Sequence, residues 1–462
     1  MDKKHPLAQF RYQVYQNFNK RADSLMDLLD ALCSNDNARS VAELSLSPHF
    51  RRGYSALFKA IADFDLNNSD LAYLAAPHLP APQRRPFWLL ATDVTPQPRP
   101  HSPTLADRGF VYKPTPIRGN KPITIGHQYS TVVLLPEKEV DSGPAWVVPL
   151  SVERVSTDQD KELVGKEQLR ELLNDPQMPF HGQLCVSVGD SSYSKPACLA
   201  AEREHRNLVS VTRARSNRVF YRRYEAPPDE PPRRGHPRWY GERFALREPE
   251  TWGPPEDWAT VMLTNQRGQE YRAELRAWHN LLMRGKRKPK KLPMHRYPFT
   301  LVCVQLYRAD GTKVYRRPLW FLIMGEHRAD ILVEDAYAAY DQRFDIEQGY
   351  RFCKQRLLLS GYQTPVVDHE QRWWRLVHLA YLQLWVAREV AQRLPRPWER
   401  YLPTMRDTAP LTPTLVQRDF TRIIREFGTP ARPVKRRGYS PGRARGATQP
   451  ARERRSVVKK HP

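Results

Sequence analysis

Between residues 87 and 213, short apolar runs alternate with segments of helical periodicity, and this alternation constrains the fold more than any other feature of the chain. The strand-like runs are, in order, FWLLATD, HQYSTVVLLPE, AWVVPLSVERV, QLCVSVGD and NLVSVT. Two helical segments, DKELVGKEQLRELLND and KPACLAAEREH, lie among them. Strands that alternate with helices predict an α/β core around a buried sheet.

The segments on either side of this core differ from it in character. The start of the chain and the segments after residue 325 have helical periodicity. The Pro- and Arg-rich block that follows residue 213 is instead predicted to form β-hairpins, with ADGT as one turn. The last segment contains eleven Lys or Arg and one acid, so we expect disorder until it meets a polyanion. The predicted regions are 1–80 (helical), 87–213 (first part of the core), 214–325 (β-rich insertion), 326–395 (second, helical part of the core), 396–428 (helical) and 429–462 (basic tail).

A formal net charge of +24 indicates a negatively charged partner, and nucleic acid is the first choice. A membrane surface is the rival, but the apolar stretches LWFLIM and LVHLAYLQLWVA are too short to cross a bilayer, and the first residues contain no secretory signal. The five cysteines are scattered and form no C-x-x-C pair. This spacing predicts reduced thiols in a cytoplasm, and argues against a zinc site or a disulfide framework.

Two of the predicted strands end in an aspartate, Asp93 in LLATDVT and Asp190 in VSVGDSS. Functional sites in α/β sheets lie at strand ends. Each aspartate alone is better read as a turn-forming or helix-capping residue. A third acid, Glu347, lies on a later helix that can pack against the sheet.

The segment YDQRFDIEQGYRFCK, residues 340–354, has no clean apolar stripe. On a helix with about 100° per residue, Tyr340, Arg343, Glu347 and Lys354 fall within roughly 60° of arc. The simplest interpretation is an Arg–Glu pair on a solvated face, worth a few tenths of a kcal/mol. Combined with two strand-end aspartates on a basic chain, the same residues suit a phosphodiester site, because carboxylates select Mg²⁺ or Mn²⁺ and neighbouring cations hold phosphates.

The spacing of Tyr340, Arg343, Glu347 and Lys354 resembles the Y-R-E-K signature of bacterial insertion-sequence transposases. Those are DDE enzymes with a ribonuclease-H-like core and a β-rich insertion between the second Asp and the Glu. The 157 residues from Asp190 to Glu347 leave room for such an insertion. The resemblance covers about residues 87–360.

This resemblance implies that Asp93, Asp190 and Glu347 are catalytic and hold two Mg²⁺ or Mn²⁺ ions. It implies that Tyr340, Arg343 and Lys354 contact DNA phosphates near the cleaved end. Trp320, in PLWFLIMG, would steady a flipped base during hairpin formation, although plain core packing is an equal alternative. The implied reaction is strand cleavage by water, followed by attack of the freed 3′-hydroxyl on DNA.

The resemblance also implies the partners, which are double-stranded DNA with terminal inverted repeats, target DNA and a second copy of the chain in a synaptic complex at the nucleoid. We expect the N-terminal helices to help recognise the repeats, and the basic loop 284–291 and the tail to add phosphate contacts that weaken steeply with salt. His127 is read as a structural histidine. Ser191, Tyr193 and Ser194 either touch DNA or cap the next helix, and capping is the preferred interpretation.

Two rival functions fit the same composition. The chain is either a catalytically silent DNA-binding protein on the same scaffold, or an RNA-binding protein whose acids are structural. Cleavage of DNA with Mg²⁺ separates the enzyme from the first rival, and a preference for RNA over duplex DNA at matched salt would identify the second.

Overall fold

The structure of the chain is a computed structural model. It describes residues 5–112, 122–138, 143–227, 235–265, 268–285, 292–402, 405, 410–435, 442, 444–448 and 450–459. The predicted basic loop 284–291 lies outside them except for its first two residues.

The helices within these residues have the following bounds. They are α1 (Pro6–Asn17), α2 (Ala22–Cys33), α3 (Tyr54–Asp63), α4 (Asn68–Ala75), α5 (Lys161–Asn174), α6 (Pro196–Glu202), α7 (Val333–Gln342), α8 (Phe344–Arg356), α9 (Val367–Ala387) and α10 (Pro413–Phe427). The strands are β1 (Trp88–Pro98), β2 (Gly109–Tyr112), β3 (Ile123–Leu134), β4 (Val148–Val155), β5 (Cys185–Gly189), β6 (Leu208–Arg213), β7 (Val219–Arg223), β8 (Tyr240–Ala245), β9 (Asp257–Thr264), β10 (Glu270–Leu281), β11 (Phe299–Arg308) and β12 (Leu319–Met324).

One large mixed sheet organises the described part of the chain. Its strand order is β2-β3-β1-β5-β6-β12-β11-β10-β9, and β4 also pairs with β3. The β1–β5 and β5–β6 pairs are parallel, and the other pairs are antiparallel. The five strands β4, β3, β1, β5 and β6 with their helices form a mixed α/β arrangement that is consistent with a ribonuclease-H-like fold.

The segment that the sequence predicts as a β-rich insertion lengthens this same sheet. β12 pairs with β6, and β11, β10 and β9 follow in antiparallel order. The predicted ADGT turn connects β11 to β12, where Gly311 has a positive φ of 80° and the Arg308 amide donates to Thr312 O at 2.8 Å. A separate pair, β7 with β8, packs over one face and encloses a second aromatic core.

The N-terminal helices share a core with the sheet. Side chains of α1, α2, α3 and α4 belong to the same buried cluster as β1, β5 and α9. Arg11 is fully buried in this cluster, where it donates to Asp30 Oδ1 at 2.6 Å and to Asp30 Oδ2 at 3.0 Å. Because a buried ion pair is costly to break, this contact fixes α1 against α2.

The end of the basic tail has backbone partners in the folded chain. Residues 450–459 run beside β2, where Val458 pairs with Gly109 in a parallel bridge. The Val458 amide donates to Arg108 O at 2.8 Å, and the Arg455 amide donates to Pro103 O at 2.7 Å. The reason is the free edge of β2, which offers backbone partners that composition alone does not reveal.

The longest described helix, α9, contains charged residues in its first turn and has 21 residues. Within the described ranges, no helix combines the length and the apolar character that crossing a membrane requires.

Candidate active site

Asp93 and Asp190 lie side by side, although the prediction that the first strand ends at Asp93 is wrong, because β1 continues to Pro98 through its pairing with β3. β1 and β5 are parallel neighbours, and Ala91 pairs with Val188. Continuing this register by two residues sets Asp93 level with Asp190 on adjacent strands, on the face of the sheet that packs against α8. The sheet therefore brings together two acids that are separated by 97 positions in the sequence.

The segment 340–354 is not the continuous helix that the angular argument assumed. α7 ends at Gln342, α8 begins at Phe344, and Arg343 lies between them. The Arg343 amide donates to Tyr340 O at 3.1 Å and the Ile346 amide donates to Arg343 O at 3.2 Å, which are tight three-residue hydrogen bonds. The junction coincides with the burial of Arg343, whose guanidinium lies 4.7 Å from the Phe344 ring centroid.

Glu347 and Lys354 on α8 share a face with Arg343, the residue just before this helix, and that face lies over β1. Arg343 donates to Glu347 Oε1 at 2.8 Å, with the Glu347 side chain half exposed. Lys354 Nζ donates to Thr95 Oγ1 at 2.6 Å. Between them, Tyr350 donates its hydroxyl to the backbone oxygen of Asp93 at 3.1 Å. These contacts hold α8, and with it Glu347, beside the strand that carries Asp93.

Glycine sets the distance between α8 and the sheet. A Cβ atom at Gly349 would lie 2.9 Å from Val147 Cγ2, closer than real Cβ contacts. A larger residue would push α8 away from the sheet, so Gly349 allows the helix to come close enough for the Tyr350 and Lys354 contacts.

The surroundings of Asp93 shift the pKa of its carboxyl group. Burial, helped by the charges of Asp190 and Glu347 and opposed by the charge of Arg343, raises the pKa of Asp93 to about 7. The Asp93 carboxylate is therefore close enough to both other acids to feel their charges. A carboxylate crowded by like charges in this way is typical of functional sites.

Asp190 is oriented by the turn that follows β5. The Ser192 amide and hydroxyl both donate to Asp190 Oδ1, at 2.8 and 2.5 Å. The expected capping of the next helix by Ser191, Tyr193 and Ser194 is wrong. The residue before α6 is Lys195, whose side chain makes no capping hydrogen bond. Ser194 instead donates its hydroxyl to Ser191 O, and the Tyr193 side chain is buried.

The three acids offer the donor set that a hard divalent cation requires. They are oxygen donors only, and the raised pKa of Asp93, caused first by burial and then by the neighbouring carboxylates, marks a negative charge that a cation would stabilise. In the described ranges, however, no three His, Cys, Asp or Glu side chains are arranged closely enough to hold an ion as they lie. The Glu347 carboxylate is paired with Arg343. The residues thus fit a metal in the chemistry of their donors, and Glu347 would have to exchange Arg343 for the ion.

A basic and aromatic cleft opens beside Asp190. Its volume is about 640 Å³, and its lining includes Arg213, Arg215 and Arg317 together with the rings of Tyr315 and Tyr340. Tyr340 is 5% exposed and packs 4.3 Å from the Phe321 ring centroid. Three guanidinium groups next to flat rings form a surface suited to phosphates and bases.

Trp320 has a buried side chain, which favours the packing alternative over contact with a flipped base. Its indole is 1% exposed and meets the rings of Trp252, Trp278 and Phe244 at centroid distances of 4.9, 5.9 and 6.2 Å. Its role toward DNA stays a prediction. His127 has the partners of a structural histidine, since its ring nitrogens lie 2.6 Å from Glu370 Oε1 and 2.9 Å from Ala106 O.

Replacing Trp320 by phenylalanine should lower the free energy of unfolding by about 1 to 2 kcal/mol. Only packing is lost, because Nε1 has no hydrogen-bond partner among the described residues. Urea unfolding measures the change, with the 71%-exposed Trp398→Phe as the matched control. A Trp320→Phe variant as stable as the unaltered chain would contradict the buried position.

The sequence interpretation missed several residues of this site. Tyr350 lies three residues after Glu347 and four before Lys354, so its helical spacing was a signal that it shares their face. Thr95 follows Asp93 by two on the same strand and faces the same side. The arginines of the cleft gave no local signal, because Arg213 ends β6, Arg215 lies in the turn after it and Arg317 lies in the loop before β12.

Comparison with known protein families identifies one model. The model described as DDE superfamily endonuclease matches residues 13–284, which is more than half of the 462-residue chain. A search of curated proteins found no matching sequence. The match includes Asp93 and Asp190, and Glu347 lies beyond its end. Endonucleases of this superfamily are generally dependent on divalent metal ions. The chain therefore belongs to the DDE superfamily of endonucleases.

Proposed function

We propose that this endonuclease is a transposase of an insertion sequence, which cleaves DNA at the ends of its element and joins the freed 3′-hydroxyl to new DNA. The observation that supports the proposal is that Asp190 and Glu347 lie close enough to Asp93 for their charges to act on its carboxyl group. Arg343 lies beside them and pairs with Glu347. The Y-R-E-K spacing of Tyr340, Arg343, Glu347 and Lys354 supports the insertion-sequence type.

Divalent ions held by Asp93, Asp190 and Glu347 would supply activation of the attacking oxygen and stabilisation of the leaving oxygen. The chain's own residues do the positioning. Ser192 orients Asp190, and Tyr350 ties α8 to the backbone of Asp93. Arg343 neutralises charge between the acids, and it becomes available to a DNA phosphate when Glu347 leaves it.

The cleft beside Asp190 supports entry of the DNA strand from that side. Arg213, Arg215 and Arg317 line it, and Tyr340 forms part of its wall. Phosphate contacts from these arginines would position the strand without reading its sequence. Tyr340 and Arg343 are adjacent, with the guanidinium 5.7 Å from the ring centroid, so both can contact one phosphate region.

Incubation of the purified chain with Mg²⁺ and DNA carrying the flanking inverted repeats tests the proposal. We expect nicks at the repeat ends, followed by joined products when target DNA is present. Binding without cleavage under Mg²⁺ and Mn²⁺ would instead favour the silent DNA-binding protein, which the Glu347–Arg343 ion pair makes the second candidate.

Replacing Lys354 by alanine should lower the cleavage rate by about 10-fold while changing overall DNA affinity little, because one charge-assisted contact near the reacting phosphate is lost among many. Single-turnover cleavage and fluorescence anisotropy measure the two effects. Arg351→Ala, an exposed cation on the same helix, is the matched control. Equal loss of rate and affinity in Lys354→Ala would contradict its proposed position near the reacting phosphate.

A further inference from the structure

The outermost strand of the sheet, β9, has an uncovered edge. In the described part of the chain β9 pairs with β10 alone. Proteins usually protect such an edge with lysine, proline, a bulge or a very short strand. β9 has eight residues, carries a single charged residue at Asp257 and pairs with β10 without a register shift. Its edge therefore offers backbone groups to another strand.

Two large apolar side chains are exposed on one face of β9. Trp258 is 72% exposed and Met262 is 62% exposed, whereas Ala259, Val261 and Leu263 pack against the core on the other face. The two exposed side chains lie four residues apart, on either side of Thr260. An apolar pair of this kind beside a free edge indicates an interaction site.

We propose that a second copy of this chain pairs with β9 edge to edge and antiparallel, about a two-fold axis at Thr260. In this register Trp258 lies opposite the partner's Met262, and Thr260 lies opposite the partner's Thr260. One symmetry operation thus covers both exposed side chains and satisfies the backbone edge. Moving the axis to Val261 would leave Trp258 opposite a threonine, so the axis at Thr260 is favoured.

The charge near this edge fits a second copy better than nucleic acid. The neighbouring strand presents Glu270, Arg272, Glu274 and Arg276 on the Trp258 face, and their formal charges cancel. This face is therefore neutral on a chain whose net charge is +24. A polyanion would be attracted more strongly to the basic parts of the surface than to this neutral face. Two copies of the chain can approach here without electrostatic repulsion at the contact.

The size of the contact predicts a weak dimer. Stable interfaces bury about 800 Å² per partner, and one strand with two side chains is smaller. We expect dissociation constants on the order of micromolar without DNA. The inference concerns assembly and does not rest on the cleavage chemistry, so Asp93→Ala should dimerise like the unaltered chain.

A single new cysteine tests the register. All five native cysteines are buried, so Thr260→Cys adds a thiol whose symmetry mate lies within disulfide reach. Thr264→Cys is the matched control on the same face, because its symmetry mate lies about 27 Å away along the strands. On mild oxidation we expect a covalent dimer from Thr260→Cys and monomer from Thr264→Cys. Equal cross-linking of the two variants, or none in either, would overturn the proposal.

Sedimentation of the reduced proteins provides the second arm. Trp258→Ala should weaken the dimer by about 30-fold, as expected for a central tryptophan, while Trp398→Ala leaves it unchanged. Trp398 is as exposed as Trp258, at 71%. If Trp258→Ala lowers DNA affinity and leaves the dimer intact, the face binds nucleic acid and the proposal is wrong.

Discussion

Alanine at Asp93, Asp190 or Glu347 is expected to lower the single-turnover rate of DNA strand cleavage by about 10³-fold or more, since each change removes several kcal/mol of transition-state stabilisation. We propose that the three acids act on one centre, because Asp93 and Asp190 lie level on parallel strands and the charge of Glu347 contributes to the raised pKa of Asp93. Affinity for DNA should stay near that of the unaltered chain, or rise, because each change removes a negative charge near the phosphates.

Glu334→Gln, an exposed acid on α7, controls for a general effect of charge and should cleave normally. The double variant Asp93→Ala/Glu347→Ala should be about as slow as either single variant, because residues that act as a unit are not additive. Any one of the three single variants that cleaves at the normal rate would remove that residue from the site.

Asparagine at Asp93 is expected to stabilise the metal-free protein at pH 8 by up to roughly 4 kcal/mol, the free energy that corresponds to a pKa moved from 3.8 to about 7. The folded protein binds this proton more tightly than the unfolded chain does. The stability that the bound proton gives to the folded protein therefore falls as the pH rises from 3.8 to about 7. Above that range Asp93 is ionised, and the full cost of its buried charge is present.

Urea unfolding in EDTA at pH 8 and at about pH 5 measures this effect, and the gain of Asp93→Asn should be smaller at the lower pH. Adding Mg²⁺ at pH 8 should reduce the difference in free energy of unfolding between Asp93→Asn and the unaltered chain, because ligand binding stabilises only the protein that retains the carboxylate. Glu334→Gln should unfold like the unaltered chain at both pH values. If Asp93→Asn is less stable than the unaltered chain at pH 8 without metal, the ionised Asp93 side chain does not destabilise the folded protein, and the prediction is wrong.

Local sequence signals were sufficient for the core strands and for the positions of Asp93 and Asp190. Both follow apolar runs that identify buried strands, and parallel pairing of β1 with β5 brings them level. The sequence did not reveal that β1 continues beyond Asp93 to Pro98, because that extension depends on pairing with β3. The helical spacing of Arg343, Glu347 and Lys354 was likewise sufficient to put them on one face of α8. The sequence could not reveal the break at Arg343, because the burial of that side chain depends on contacts made in the folded chain.

Long-range packing accounts for the other differences. Trp320 is buried because Trp252 and Trp278 come from distant parts of the segment between β6 and α7, and no local pattern brings the three together. The order of β12, β11, β10 and β9 beside β6 depends on pairing across the whole sheet. The contact of residues 450–459 with β2 is also non-local, and composition predicts only their charge.

The central claim is that Asp93, Asp190 and Glu347 hold the same divalent ions beside the cleaved phosphate. Titration of Mn²⁺ into the protein–DNA complex at pH 8, followed by electron paramagnetic resonance of the free ion, counts the bound ions directly. We predict that the unaltered chain binds Mn²⁺ and that Asp93→Ala, Asp190→Ala and Glu347→Ala each lose affinity for it, whereas Glu334→Gln does not. Unchanged Mn²⁺ binding by Glu347→Ala would contradict the claim, because the ions would then be held without the third acid.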